Sequence, residues 1–283
     1  MFSLIGVVMN MHMIFLSLLQ GITEFLPVSS SGHLILFSKF TDFPDQGLAI
    51  DVALHVGSII AVILYFSKDI WEIVSGLWKN SFMPNFKNQG NQLFYLIFVA
   101  TIPALICGLV LNHFGTEWLR NTKLIGWNIL IYGVLLWFID KVSITARRIR
   151  NLEIKDAVLI GLAQCLALLP GTSRSGITIT MGRFLGLERR EAAKFSMLLS
   201  IPTILAAGLY EGYKLWESGN VTQMLTASDA VAYSFVFSIL AIFVLMQWLK
   251  RWSFLPFAIY RILLGGILLL DAYGIYDVKI LAQ

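Results

Sequence analysis

Charge is what this sequence of 283 residues lacks: Asp, Glu, Lys and Arg make up 13% of it, whereas hydrophobic residues make up 57%. Soluble domains carry about 25% charged residues, so the composition excludes an ordinary soluble domain. A helix that crosses a bilayer needs about 20 apolar residues, and several windows have that length. We therefore predict an all-α, polytopic membrane protein with six crossing helices. These are Leu48–Phe66, Leu93–Leu111, Leu124–Ile139, Ala192–Tyr213, Ala230–Leu249 and Phe257–Leu270.

Cysteine is also scarce, and the two that are present, Cys107 and Cys165, lie inside apolar segments. We interpret both as small packing residues, and nothing suggests a disulfide between them. The absence of an HExxH motif and of zinc-type Cys/His spacing argues against a zinc protease. The apolar start of the chain runs into Gln20, Glu24 and Pro27 rather than a small-residue cleavage site, so we expect no cleavable signal peptide. The net charge of +4 concerns membrane orientation, and no nucleic-acid partner is expected.

Lysine and arginine are rare in some of the connecting loops, which indicates an orientation. Basic residues mark cytoplasmic loops, and here they collect after the first and third crossings, before the fourth and after the fifth. They are Lys68, Lys79, Lys87, Lys141, Arg147, Arg148, Arg150, Arg189, Arg190, Lys194, Lys250 and Arg251. The loops near Asp42–Asp45, His113–Thr122 and Glu217–Asp229 carry few of them and should face outward.

This orientation is consistent only if the segments 3–36 and 157–186 each enter and leave the membrane on one side, as re-entrant helical hairpins. The first would enter from outside and the second from the cytoplasm. The single membrane domain, residues 1–283, then divides into two repeats, 1–140 and 151–275, each with one hairpin and three crossings. Because three is odd, the sequence predicts an inverted-topology repeat, as in many transporters.

Two polar breaks, 143 residues apart, interrupt the apolar sequence of these hairpins. One is PVSSSGH, from Pro27 to His33, and the other is PGTSRSG, from Pro170 to Gly176. A weaker similarity between residues 50–58 and 195–203 extends the repeat. Hydroxyl groups and an arginine are costly at membrane depth unless they face a protected cavity. The repeated break therefore predicts one buried site that is assembled from two halves.

Arg174 is the charged residue of the second break, between Ser173 and Ser175. A fixed arginine beside hydroxyl groups and backbone N–H groups at the start of a helix favours an anion, phosphate above all. The alternative is an arginine that snorkels to the interface. The break is not a P-loop, because its glycine and lysine spacing is wrong.

Gln20 and Glu24 are four residues apart and share a helical face. A carboxylate in an apolar segment suits a general base, a metal ion, or a partner for arginine or histidine. A structural hydrogen bond within the hairpin is the alternative. Where a metal is involved, we expect Mg²⁺ or Ca²⁺ bridging Glu24 and phosphate oxygens, because these cations prefer oxygen ligands.

The first break supplies candidate nucleophiles. Ser29, Ser30 and Ser31 follow Pro27, and His33 lies three residues after Ser30, near enough to accept its proton. Capping of the following half-helix is the alternative role for one or two of these serines. The sequence leaves open whether Ser30 is the nucleophile or His33 is, with a serine orienting it.

Further ionisable residues lie in the apolar segments. Asp51 and His55 are one helical turn apart, and we expect them to support the site; ordinary packing of a hydrogen-bonded histidine is the alternative. Arg183 and Asp271 are other charges at depth. Arg261 should lie near the cytoplasmic face, where snorkelling explains it.

At these motifs the sequence resembles the undecaprenyl-diphosphatase family, the bacitracin-resistance membrane phosphatases of bacteria. The matching blocks run from Gln20 to His33 and from Gln164 to Gly176. The family element Pro-Gly-x-Ser-Arg-Ser-x-x-Thr is matched at every specified position up to Thr178. Residues 51–55 and 254–261 look like further family blocks, so the resemblance covers essentially the whole chain.

The resemblance implies hydrolysis of undecaprenyl diphosphate to undecaprenyl phosphate and inorganic phosphate. This reaction recycles the lipid carrier of cell-wall synthesis and removes the target of bacitracin. We accordingly expect a bacterial inner-membrane protein whose site opens to the periplasm, with the lipid diphosphate, membrane lipid and a second copy in a homodimer as partners. The implied catalytic core is Glu24, Ser30, His33 and Arg174. The resemblance further implies a supporting, substrate-binding role for Gln20, Ser29, Ser173, Ser175 and Thr178. We also expect Asp51, His55 and Gln164 to support the site.

One family position bears on the metal. Glutamine at position 20 fits the family pattern but removes a carboxylate that a cation could use. The alternative function is a transporter or flippase of a phosphorylated lipid or small anion, because opposed repeats and half-helices are shared with secondary transporters.

Overall fold

The computed structural model describes residues 2–40, 47–114, 119 and 121–275, and these residues form eleven α-helices and no β-strand. The predicted all-α class is therefore confirmed. The helices are α1 (Phe2–Thr23), α2 (Ser30–Phe40), α3 (Leu48–Tyr65), α4 (Ser67–Lys79), α5 (Gln89–Phe114), α6 (Thr122–Val142), α7 (Ile154–Cys165), α8 (Arg174–Phe184), α9 (Arg189–Glu217), α10 (Val221–Trp248) and α11 (Leu255–Ala272).

Six helices in the described part of the chain are long and apolar enough to cross a membrane, and they coincide with the six predicted segments. They are α3, α5, α6, α9, α10 and α11. Helix α9, at 29 residues, extends past the predicted bounds at both ends, and α10, at 28 residues, begins nine residues before its predicted start. Of the loops predicted to face outward, Asp42–Asp45 lies outside the described residues, as do positions 115–118 and 120 of the next.

Helix α4 is a difference from the sequence prediction, which has only a basic loop after the first crossing. Ile73 and Gly76 of α4 are buried against the protein, whereas Trp71 and Trp78 are exposed. The helix packs on α5. With 13 residues and one apolar face, α4 is too short and too polar to stand out as an apolar segment of bilayer length.

Small residues bring α3 and α10 into close contact. A Cβ atom on Gly57 would lie 2.3 Å from the carbonyl oxygen of Val231. The hydroxyl of Ser58 is 3.1 Å from that of Ser234 and 2.9 Å from that of Ser238. Helices in lipid associate through such close packing and hydrogen bonds, because the hydrophobic effect gives them little. This contact fixes the helix that carries Asp51 and His55.

A buried carboxylate joins the ends of several helices. Asp140 of α6 accepts hydrogen bonds from Arg183 and Arg189, each at 2.9 Å, and from the N–H of Phe254 at 3.2 Å. Arg183 is completely buried and also donates to the carbonyl of Leu187. The predicted charge at depth is therefore an ion pair that fixes α6, α8, α9 and the start of α11.

A second ion pair holds the start of α7, outside the six crossing helices. Arg147 Nη2 lies 2.5 Å from Asp156 Oδ2, which also accepts from the N–H of Glu153 at 2.8 Å. Burial alone would raise the pKa of Asp156, but the hydrogen bonds from Arg147 and Glu153 lower this pKa below its ordinary value. The pair ties the preceding loop to α7.

Candidate active site

The first break separates α1, which ends at Thr23, from α2, which begins at Ser30. Ser29 has a φ of 77°, and its Oγ accepts a hydrogen bond from the N–H of Gly32 at 3.3 Å. This conformation is uncommon for a residue other than glycine and persists where the surroundings hold it. The capping role considered for these serines is therefore carried out by Ser29.

The second break has the same local structure. Ser173 immediately precedes α8, has a φ of 72°, and accepts a hydrogen bond from the N–H of Gly176 at 3.0 Å. Gly171, at a φ of 89°, makes the turn from the end of α7. Ser29 and Ser173, each three residues before the last glycine of its motif, thus start two helices in the same unusual way.

The two breaks are in direct contact, as the sequence predicts. Ser175 donates to the carbonyl oxygen of Leu26 at 3.0 Å. The backbones approach so closely that a Cβ on Gly32 would lie 3.6 Å from the Cα of Gly171. Side chains that are far apart in the chain therefore share one site.

Glu24 is the centre of this site. Its Oε1 accepts from Arg174 Nη2 at 2.8 Å. Its Oε2 accepts from Gln20 Nε2 at 2.9 Å and from the hydroxyl of Ser30 at 2.7 Å, and it lies 3.4 Å from Nε2 of His55. Only 4% of the side chain is exposed. A buried carboxylate needs partners of this kind, because an uncompensated charge in the interior is strongly unfavourable.

Arg174 joins the two halves of the site rather than snorkelling to an interface. Its side chain is 16% exposed, and its second terminal nitrogen donates to the carbonyl of Ser196 on α9 at 3.1 Å. Thr178 binds the hydroxyl of the same Ser196 at 2.7 Å. Thr178 and Ser175 thus hold α8 in place, whereas Arg174 reaches Glu24.

A cavity of about 290 Å³ lies over these groups. The predicted residues that line it are Glu24, Ser30, Ser173, Arg174 and His55. Ser31, Val52, Ala167, Thr203 and Ile204 complete the lining. The sequence does not single out the last two, which come from α9, although the similarity of 195–203 to 50–58 is a signal that this part of α9 faces the same space as α3.

His33 is turned away from Ser30. Its Nδ1 is 2.7 Å from the carbonyl of Ser29, and its Nε2 is 2.5 Å from the hydroxyl of Tyr260, on whose ring it stacks. The Ser30–His33 hydrogen bond expected from their spacing is not made, since Ser30 donates to Glu24 instead. Sequence reasoning missed Tyr260, although it lies in one of the blocks that carry the family resemblance.

His55 is also anchored to a backbone carbonyl through Nδ1, but its Nε2 faces Glu24 rather than Tyr260. Its Nδ1 is 2.7 Å from the carbonyl of Asp51, one turn earlier in α3. A carbonyl only accepts hydrogen bonds, so Nδ1 carries a hydrogen and Nε2 is directed at Glu24. The backbone carbonyl of Asp51 thus orients the ring of His55. Gln164, the other supporting residue, lies against α5, 3.5 Å from the carbonyl of Ala100.

Arg261 does not snorkel, which corrects the sequence interpretation. It is completely buried and donates to the carbonyl oxygens of Pro27 in the first break and of Gly171 and Thr172 in the second. These carbonyl oxygens come from two segments that are far apart in the sequence. Together they make an interior position favourable for the guanidinium of Arg261.

The donor set around Glu24 leaves little for a resident cation. Both carboxylate oxygens already accept hydrogen bonds, and Gln20 offers its amide nitrogen to Glu24. Among the described residues, no group of three or more His, Cys, Asp or Glu is placed to hold a metal ion. Binding of Mg²⁺ or Ca²⁺ therefore stays a prediction, and its other ligands would have to come from substrate and water.

The fold and the site define a class of polytopic, all-helical membrane proteins whose polar cavity is built from two interrupted helical segments. The chain belongs to the bacitracin resistance protein BacA family, which matches residues 13–267.

Several curated proteins are similar to this chain over nearly its whole length. The chain is similar to proteins named undecaprenyl-diphosphatase from Roseobacter denitrificans, at 46% identity over 93% of this chain and 98% of the relative. A protein of the same name from Teredinibacter turnerae is 45% identical over 91% of this chain and 97% of the relative. One from Jannaschia sp. is 45% identical over 92% and 97%.

Proposed function

We propose that this chain hydrolyses undecaprenyl diphosphate to undecaprenyl phosphate and inorganic phosphate. The observation that carries the proposal is that the hydroxyl of Ser30 donates to Glu24, which in turn binds Arg174, at the floor of one cavity. The family and the names of the relatives support the same reaction. In the cell it would recycle the lipid carrier of cell-wall synthesis and confer resistance to bacitracin.

Arg174 and the start of α8 are suited to hold the terminal phosphate. Arg174 is the first residue of α8, where the helix dipole is positive, and its guanidinium lines the cavity. Bound phosphate would compete with Glu24 for this guanidinium and would free the carboxylate to act on Ser30. Positioning and charge neutralisation account for most of the catalysis of phosphoryl transfer.

Ser30 is the better placed nucleophile. Its oxygen would attack the terminal phosphorus while its proton passes to Glu24. The new O–P bond forms as the anhydride P–O bond breaks, and undecaprenyl phosphate leaves with the proton that Glu24 took from Ser30, so that Glu24 is a carboxylate again. Water then hydrolyses the phosphoserine, with Glu24 as base, and releases phosphate. His33, whose Nε2 bonds to Tyr260, keeps its family-implied role only as a prediction.

A phosphate-release assay on detergent-purified protein with prenyl diphosphates tests this function. Ser30→Ala should lower the rate at least about 1000-fold, as loss of a nucleophile does in other hydrolases. Ser228→Ala, which changes an exposed serine of α10, is the matched control. Wild-type release with an unaffected Ser30→Ala variant would exclude Ser30 as nucleophile. A transporter would bind the lipid and release no phosphate.

The same assay with and without a chelator tests the cation. Loss of activity that is restored by Mg²⁺ or Ca²⁺ would support a cation bridging Glu24 and substrate phosphate. Unchanged activity would oppose it. The enzyme mechanism above does not depend on the result.

We further propose the inverted repeat with two re-entrant hairpins, in the inner membrane with the cavity open to the periplasm. Helix α1 packs on α10 as α7 packs on α5, which is the relation expected when the two repeats are exchanged. The shared caps of Ser29 and Ser173 support it further. In a cysteine-free background, an impermeant thiol reagent applied outside should label a cysteine at Ser218 and spare one at Lys79. The opposite pattern would reverse the orientation.

A further inference from the structure

Interrupted helices leave backbone carbonyls without helical partners. Each break in this chain ends a helical segment inside the protein, and an unsatisfied carbonyl in such a place costs several kcal/mol in a membrane. The carbonyls of Pro27, Gly171 and Thr172 come from both breaks and converge on one point. What occupies that point decides how the breaks are held together.

The guanidinium of Arg261 occupies it. Nη1 donates to Pro27 at 3.2 Å, and Nη2 donates to Gly171 and Thr172, both at 2.9 Å. Further bonds reach α6, from Nε to the carbonyl of Ile129 at 3.1 Å and from Nη2 to that of Asn128 at 3.3 Å. A planar fork of five N–H groups can satisfy so many acceptors at once, and the point charge of a lysine cannot.

Glycines make room for this side chain. A Cβ on Gly176, the last residue of the second motif, would lie 2.8 Å from Nη1 of Arg261. A Cβ on Gly133 of α6 would lie 2.7 Å from the Cβ of Arg261. Gly176 has a helical conformation, so space for the guanidinium, and not backbone freedom, explains glycine at this motif position.

We propose that Arg261 is a positioning residue of the active site, which fixes the first break against the second and so sets the geometry of Glu24, Ser30 and Arg174. Glu24 and Ser30 flank Pro27, and Arg174 closely follows Thr172. A shift between the breaks would therefore change the contacts of all three catalytic groups. The inference rests on the proposed phosphatase function, because its readout is the rate of that reaction.

The test compares two buried arginines. Arg183 is also completely buried, but it binds Asp140 and Leu187, away from both breaks. Arg261→Lys and Arg183→Lys each remove a buried guanidinium and keep a positive charge, so both should lower the unfolding temperature. Only Arg261→Lys should lower kcat, by about 100-fold, the effect of misplacing reactive groups by about 1 Å. KM should change less than kcat, since Arg261 does not itself line the cavity.

Equal kcat values for the two lysine variants, both folded by size-exclusion chromatography, would overturn the inference and leave the phosphatase function intact. If wild-type protein releases no phosphate, the proposed function itself fails. Should Arg261→Lys not fold, Gly176→Ala is a milder change, because its methyl group would displace the guanidinium of Arg261 without removing it. Its kcat should fall at least about tenfold for a displacement of this kind, whereas Gly266→Ala on α11, with open space around it, should keep the wild-type rate. Equal rates for these two variants would also overturn it.

Discussion

The two breaks share a helix cap and differ in the side chains that they present. Ser29 and Ser173 both take a left-handed φ and cap the helix that follows. The first break then presents Ser30 beside Glu24, an acceptor for its proton, and the second presents Arg174, a cation. Two similarly capped breaks thus present different groups to one cavity, a hydroxyl beside a carboxylate and a guanidinium.

After Ser30→Ala, the largest expected effect comes from the Glu24–Arg174 pair, which joins the breaks. Glu24→Gln and Arg174→Ala should each lower kcat/KM for phosphate release about 100- to 1000-fold, since one removes the base and the other an electrostatic contact. Because the two act as a unit, the double variant should be little worse than the poorer single variant. A double variant whose loss equals the product of the single losses would show that the breaks act independently.

The exposed pair Arg148–Glu188 offers a control for that experiment. Its nitrogen and oxygen are 3.0 Å apart, but the two side chains are 58% and 40% exposed. Such pairs contribute at most about 1 kcal/mol. Arg148→Ala and Glu188→Gln should therefore leave phosphate release near the wild-type rate.

The two histidines differ in position, since His55 lines the cavity and His33 binds Tyr260. Replacing each in turn tests which position matters more for the reaction. His55→Gln should lower kcat about 100-fold, at the lower end of acid–base effects, because it removes a partner of Glu24. His33→Gln should cost less and should match Tyr260→Phe, which breaks the same hydrogen bond. A greater loss at His33 than at His55 would favour the catalytic role that the family resemblance implies.

The two serine caps should make similar contributions to the stability of the protein. Ser29→Ala and Ser173→Ala each lose a cap, which costs about 1 kcal/mol, and place alanine at a positive φ. Glycine loses the same cap but accepts that φ, so both glycine variants should unfold at a higher temperature than the alanine variants. Equal unfolding temperatures for glycine and alanine would mean that the φ values carry no strain.

The smallest effect concerns the start of α7, the helix that leads to the second break. The Arg147–Asp156 pair lies there. Because the pKa of Asp156 is lowered by folding, the pair stabilises the protein above the unfolded pKa, about 3.9. This stability is lost as pH falls through the lower, folded value. The difference in unfolding temperature between wild type and Asp156→Asn should therefore narrow below about pH 4. A difference independent of pH would rule out this electrostatic origin.

Local sequence was sufficient for several features of the fold and the site. The six crossings follow from apolar windows of bilayer length, and the two breaks follow from proline, hydroxyl and glycine residues that end one helix and begin another. Glu24 and Arg174 stand out because charges in apolar segments need partners. The sequence did not predict the amphipathic helix α4, because its apolar face is short.

Partner choice was decided by tertiary structure. Spacing favours His33 as the partner of Ser30, but α11 brings Tyr260 to His33 and the first break brings Glu24 to Ser30. Composition favours an interfacial Arg261, but convergent carbonyls from both breaks hold it inside. Periodicity and composition record where a side chain lies along its own helix. They do not record which polar atoms of distant segments will meet it, and in an apolar interior those atoms determine where a charged group is stable.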